Sequence, residues 1–181
     1  IADLIDYKLS KESTIENVHT KEVSTEFGEF RLDVWRDVIF DEHHFSLTKG
    51  SPEKADVPMV RVQTQSVLQD TLGIDEIGKK WSIRKSLQKI SDEGTGVFVL
   101  INHRDAKTYW LSSLKDENIE PKRNRRVIGI GSQILRSLGL SRINVLGTPT
   151  KYSGLSGFNI EIEGFIDCLL YTSDAADDET S

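Results

Sequence analysis

The sequence has 181 residues, of which 37% are hydrophobic and 29% are charged, so it is long enough for one domain with a full core. Its net charge is −6, but four of the excess acids lie within residues 174–179, and residues 1–167 carry only −2. That balance excludes a broad basic field for nucleic acid, and no apolar run is long enough to span a membrane. The single cysteine, Cys168, excludes an internal disulfide framework, and we expect a reducing, cytoplasmic setting.

Both ends of the chain indicate boundaries. The chain does not begin with Met, residues 1–9 have the apolar spacing of a helix, and residues 10–16 are polar. We therefore expect residues 1–16 to be the end of an upstream domain and a linker. Residues 168–181 resemble one reading frame of a transposon adapter used to build sequencing libraries, so we expect them to be non-native. A natural acidic, disordered tail is the alternative.

The first half of the body alternates apolar and polar residues, which is typical of half-buried strands. The predicted strands are 19–25, 29–36, 44–48 and 59–64. Turns are predicted at residues 27–28 and 49–52, where glycine and proline occur.

In the second half, predicted helices alternate with apolar strands. Helices are predicted over 80–93 and 128–138, each followed by a glycine, with a short helix at 150–156. Strands are predicted over 97–101, 143–146 and 159–163, and the first of these is apolar throughout, as a buried central strand would be. The order of elements predicts an α+β domain, a mixed α/β layered domain, over residues 17–167.

Several stretches resemble a known enzyme family. Residues 126–139 read Arg-Val-Ile-Gly-Ile-Gly-Ser-Gln-Ile-Leu-Arg-Ser-Leu-Gly. They are similar to the Arg-Asp-Tyr-Gly-Ile-Gly-Ala-Gln-Ile-Leu-Arg-Asp-Leu-Gly helix of GTP cyclohydrolase II. Residues 1–5 and 25–31 resemble the junction of fused proteins in which a 3,4-dihydroxy-2-butanone 4-phosphate synthase domain precedes the cyclohydrolase. The resemblance covers nearly all of residues 1–165 and implies a GTP cyclohydrolase II-like fold.

The resemblance also implies a zinc site, which this sequence does not preserve. In the family, three thiolates hold a zinc ion whose fourth position activates the water that attacks the guanine ring and releases formate. The three ligand positions fall here on Ser66, Ile77 and Lys79. Because a hydroxyl, an alkyl group and an ammonium group are poor zinc ligands, the sequence predicts that this metal site has been lost.

The family's other functional positions are changed as well. Its glycine-rich phosphate loop falls on residues 102–107, which contain no glycine. The resemblance places the nucleophilic arginine at Arg126, but its acidic partner has become Asn124, which cannot act as a general base. Arg61 and Lys151 are candidates to bind an anionic or nucleotide ligand. For all three cations the alternative is an ordinary structural or solvated charge.

A replacement metal site or a different nucleophile is not indicated by the remaining residues. The carboxylates within residues 70–76 are typical of a solvated loop. His43 and His44 lack a third spaced ligand and fall in a predicted strand, which favours a structural use. His19 and His103 are isolated from any serine or cysteine nucleophile.

The leading hypothesis is a degenerate GTP cyclohydrolase II-like domain of a riboflavin biosynthesis protein. It would not hydrolyse GTP, and its role beside the synthase domain would be structural, regulatory or ligand-binding. We expect no cofactor in this domain and magnesium in the missing synthase domain, which would be a lyase. The expected partners are an anionic or nucleotide ligand, the upstream synthase domain and a second copy in a homodimer, with no nucleic acid and no membrane.

The alternative hypothesis is an active enzyme. An active GTP cyclohydrolase II would hold zinc and convert GTP to 2,5-diamino-6-ribosylamino-pyrimidinone 5'-phosphate, formate and pyrophosphate. A changed, metal-free nucleotide reaction at Arg126 is the other active possibility. Metal content and formate release distinguish these hypotheses from the leading one.

Overall fold

The computed structural model describes residues 12–74, 81–102, 121–149 and 159–168, together with residues 4, 111, 114 and 115. Within these residues the strands are β1 (Ile15–Thr25), β2 (Gly28–Asp37), β3 (Glu42–Lys49), β4 (Met59–Thr64), β5 (Gly96–Ile101), β6 (Arg142–Leu146) and β7 (Glu161–Ile166). The two longer helices of the described part are α1 (Ile83–Glu93) and α2 (Pro121–Ser137). The strands form one sheet in the order β1-β2-β3-β5-β4-β6-β7. The predicted mixed sheet with helices is confirmed.

The sheet joins an antiparallel half to a parallel half. β1, β2 and β3 form an antiparallel meander, and Gly28 takes a φ of 103° in its first turn, a conformation that glycine adopts without strain. β3 pairs antiparallel with β5, whereas β5, β4, β6 and β7 pair in parallel. β5 therefore lies at the centre, as its continuous apolar sequence predicts.

Several predicted boundaries are wrong. β1 begins at Ile15, which is buried in the core, so the last two residues of the predicted linker belong to the sheet. The last strand is Glu161–Ile166 rather than 159–163, because Asn159 has a φ of 55°, which is incompatible with an extended strand. Helix α2 begins seven residues before the prediction. The helices predicted over 1–9 (apart from Leu4) and over 150–156 lie outside the described residues.

The two helices cover opposite faces of the sheet. Residues alternate along each strand, so Val97, Val99 and Ile101 of β5 point to one face and Phe98 to the other. On the first face, here called the α2 face, Ile130 and Ile134 of α2 pack on the strands. On the second face, here called the α1 face, the apolar packing consists of Phe30, Met59, Trp81, Leu87, Ile90, Phe98, Leu146 and Cys168.

A small residue allows α2 to approach the sheet closely. A Cβ atom added at Gly131 would lie 2.7 Å from Cγ1 of Val62 on β4, so any larger side chain would push the helix outward. At the same level of the helix, Oε1 of Gln133 accepts hydrogen bonds from the backbone N–H of Thr14 (2.7 Å) and from its hydroxyl (3.2 Å). These bonds join α2 to the residue that precedes β1.

Candidate functional site

The structure does not bring the predicted site residues together. Arg61 lies on β4 and points to the α1 face, because its neighbours Val60 and Val62 pack on the α2 face. Arg126 lies on α2, which covers the opposite face. Ser66 follows the end of β4. Asn124 lies within α2, but its side chain is outside the described part, as are Ile77, Lys79 and Lys151.

The guanidinium of Arg61 is held by oxygen atoms from three parts of the chain. Its Nε donates to Oε1 of Gln63 at 2.9 Å, within β4. Its Nη1 donates to the carbonyl of Leu146 at 2.8 Å, and its Nη2 donates to the carbonyl of Trp81 at 3.2 Å. Arg61 therefore ties β4 to the end of β6 and to the start of α1. The structural role that the sequence left open for this residue is the one that its contacts support.

Ser66 occupies the position at which the family's first zinc ligand falls, and its polar groups are used locally. Its hydroxyl accepts a hydrogen bond from the N–H of Gln69 at 3.3 Å and so caps a short π-helical turn, Val67–Thr71. Its own N–H donates to Oδ2 of Asp70 at 2.8 Å. The residue acts as the N-cap of a turn, for which a serine hydroxyl is well suited.

The side chains at the three ligand positions do not fit a zinc ion. Zinc prefers thiolate, imidazole and carboxylate donors, and Ser66 supplies a neutral hydroxyl that is already engaged in the turn. Ile77 has no donor atom, and the ammonium of Lys79 repels a cation. Within the described ranges, no three His, Cys, Asp or Glu side chains are grouped so that they could hold a metal ion. These positions therefore do not support zinc-dependent chemistry.

Arg126, the candidate nucleophile, is bound by two carboxylates. Its Nη2 donates a hydrogen bond to Oε2 of Glu42 and lies 3.7 Å from Oδ2 of Asp37. The guanidinium also stacks on the ring of Phe40, with 3.7 Å between its carbon and the ring centroid. Only 22% of the Arg126 side chain is exposed. The alternative of a simple surface charge is therefore wrong, because this arginine belongs to a buried ion cluster.

Sequence reasoning missed the acidic partners of Arg126. Asp37 and Glu42 are cross-strand neighbours at the β2–β3 turn, and both are buried on the α2 face. His44 continues this polar row, and its Nδ1 accepts a hydrogen bond from the N–H of Asn102 at 3.0 Å. The available signal was the alternation of β3, in which positions 42, 44, 46 and 48 are polar and yet face inward. The structural use of His44 agrees with the prediction.

Hydrogen bonds shift the pKa values of three residues on the exposed surface of the sheet. Nε of Arg142 on β6 donates to Oε1 of Glu163 on β7 at 2.9 Å. This hydrogen bond lowers the pKa of Glu163 and raises the pKa of Arg142. On β2, hydrogen bonds to Asp41 and Glu16 raise the pKa of Arg36. All three residues stabilise the surface of the sheet rather than forming a reactive site.

Comparison with known proteins identifies the family of this chain. Residues 16–167 match the family model described as GTP cyclohydrolase II. The chain belongs to this family. The match begins in β1 and ends after β7, so it includes every strand of the described sheet.

The similar proteins include 3,4-dihydroxy-2-butanone 4-phosphate synthases and riboflavin biosynthesis proteins. The chain is 31% identical over 172 residues to 3,4-dihydroxy-2-butanone 4-phosphate synthase of Pseudomonas aeruginosa, covering 92% of the chain and 47% of the relative. It is 31% identical over 177 residues to riboflavin biosynthesis protein RibBA of Cytophaga hutchinsonii, covering 90% and 44%. The chain spans about half the length of the curated relatives it matches.

A solved structure supports the same assignment. The chain is similar to the crystal structure of RibBX, a two domain 3,4-dihydroxy-2-butanone 4-phosphate synthase from A. baumannii, with a TM-score of 0.63 and 28% identity. The similarity covers 91% of this chain and 44% of that one. The fold is therefore GTP cyclohydrolase II-like. Among the described helices, none has the length and apolar character needed to cross a membrane.

Proposed function

We propose that this domain is a GTP cyclohydrolase II-like domain of a riboflavin biosynthesis protein that does not hydrolyse GTP. Its role would be structural or regulatory, beside a 3,4-dihydroxy-2-butanone 4-phosphate synthase domain in the same protein. The observation that carries the proposal is the donor chemistry at Ser66, Ile77 and Lys79, where a hydrolytic zinc site needs three ligands of high affinity.

The position of Arg126 supports the proposal independently. A nucleophilic or phosphate-binding arginine must present its guanidinium to the nucleotide, whereas this one is paired with Glu42 and Asp37. Arg61, the second candidate for anion binding, donates to Gln63 and to two backbone carbonyls. Both cations are used to hold the fold, which favours a scaffold role over nucleotide chemistry.

The names of the relatives agree with a role beside the synthase. The protein of Pseudomonas aeruginosa and the two-domain protein of A. baumannii are both named as synthases, although each matches this chain over about half its length. We infer that the full-length protein to which this chain belongs also contains a synthase domain. The substrate of the full-length protein would then be the substrate of that synthase domain. The expected homodimer, the cytoplasmic location and the magnesium of the synthase domain remain part of this proposal.

Formate release from GTP by the purified chain, with zinc added, tests the absence of hydrolysis. We expect no formate above a protein-free blank and no stoichiometric zinc after dialysis. The matched variant Ser66→Cys/Ile77→Cys/Lys79→Cys restores three thiolates, and we expect it to retain about one zinc ion per chain. Stoichiometric zinc together with formate release by the unmodified chain would establish the alternative, an active GTP cyclohydrolase II.

Nucleotide turnover without zinc is a separate outcome of the same assay. If GTP were consumed with no zinc bound, and if Arg126→Gln abolished this consumption, the changed, metal-free reaction would be the correct function. We expect the unmodified chain and the Arg126→Gln variant to leave GTP equally intact. High-performance liquid chromatography of the nucleotide pool measures both.

A further inference from the structure

We draw no further inference here: the strongest candidate, the strip of half-buried apolar side chains that β2 and β3 present on the α1 face (Leu32, Val34 and Phe45), carries nothing, because nothing in the described part of the structure shows what covers it.

Discussion

Each face of the sheet carries one arginine that the sequence suggests as a functional residue, Arg61 on the α1 face and Arg126 on the α2 face. The two guanidinium groups are bound by different kinds of acceptor. On the α1 face, Arg61 donates to an amide and two carbonyl oxygens, all of which are neutral. On the α2 face, Arg126 is bound by two carboxylates and stacks on Phe40. Neutral acceptors orient a guanidinium and leave its charge in place, whereas carboxylates cancel the charge. The guanidinium of Arg61 is therefore constrained mainly in its orientation, whereas the charge of Arg126 is neutralised.

The two arginines also stabilise different parts of the fold. Arg61 joins three segments that are close only in the folded chain, namely β4, the end of β6 and the start of α1. Arg126 joins α2 to the β2–β3 turn through a charge interaction between largely buried partners. Removing Arg61 takes a donor from three neutral acceptors, whereas removing Arg126 takes a positive charge from two buried carboxylates, which is the more costly change.

The largest effect is expected when Arg126 is replaced by an apolar residue of similar length. Arg126→Met should lower the free energy of unfolding by about 3–5 kcal/mol, because Asp37 and Glu42 lose the positive charge of the guanidinium while remaining buried. Urea unfolding followed by circular dichroism measures the change. The triple variant that adds Asp37→Asn and Glu42→Gln should regain part of the lost stability. A loss below about 1 kcal/mol in the single variant would show that solvent screens the ion pairs of Arg126 as it does at a surface.

A smaller effect is expected for the same substitution on the other face. Arg61→Met should lower the free energy of unfolding by about 2–3 kcal/mol, because three neutral acceptors lose their donor. The same urea titration provides the comparison with Arg126→Met. If Arg61→Met proved the more destabilising of the two, the distinction between neutral and charged acceptors would be wrong.

The smallest effect is expected at the exposed pair Arg142–Glu163, which serves as the surface reference. The lowered pKa of Glu163 means that its contribution is present above the ordinary value of 4.5 and is lost as the pH falls through the lowered pKa. Glu163→Gln should lower the Tm by about 1 °C at neutral pH, and the difference should disappear in acid. A difference that grows as the pH falls would contradict this sign.

Much of the fold follows from local sequence patterns. β4 was predicted at its observed bounds, because alternating residues between a proline and a polar segment define it on both sides. Helix α1 was predicted from its apolar spacing and its glycine stop, and the structure adds Ser82 as the N-cap. The start of α2 was missed because several basic residues lie in its first turns, where the helix dipole disfavours positive charge.

The candidate site was predictable only in part. The changes at Ser66, Ile77 and Lys79 are visible in the sequence, since they depend on residue types at known spacings. The contacts of Arg126 are not, because Glu42 is separated from it by 84 residues and meets it only through the packing of α2 on the sheet. Pairing at such separations is a property of the tertiary fold, which local patterns do not encode.

The hydrogen bonds between Thr14 and Gln133 have a mechanical consequence. Thr14 directly precedes the first strand, and Gln133 lies on α2, two turns after Arg126. A displacement of the chain ahead of β1 would therefore act on the helix that carries the arginine as well as on the first strand.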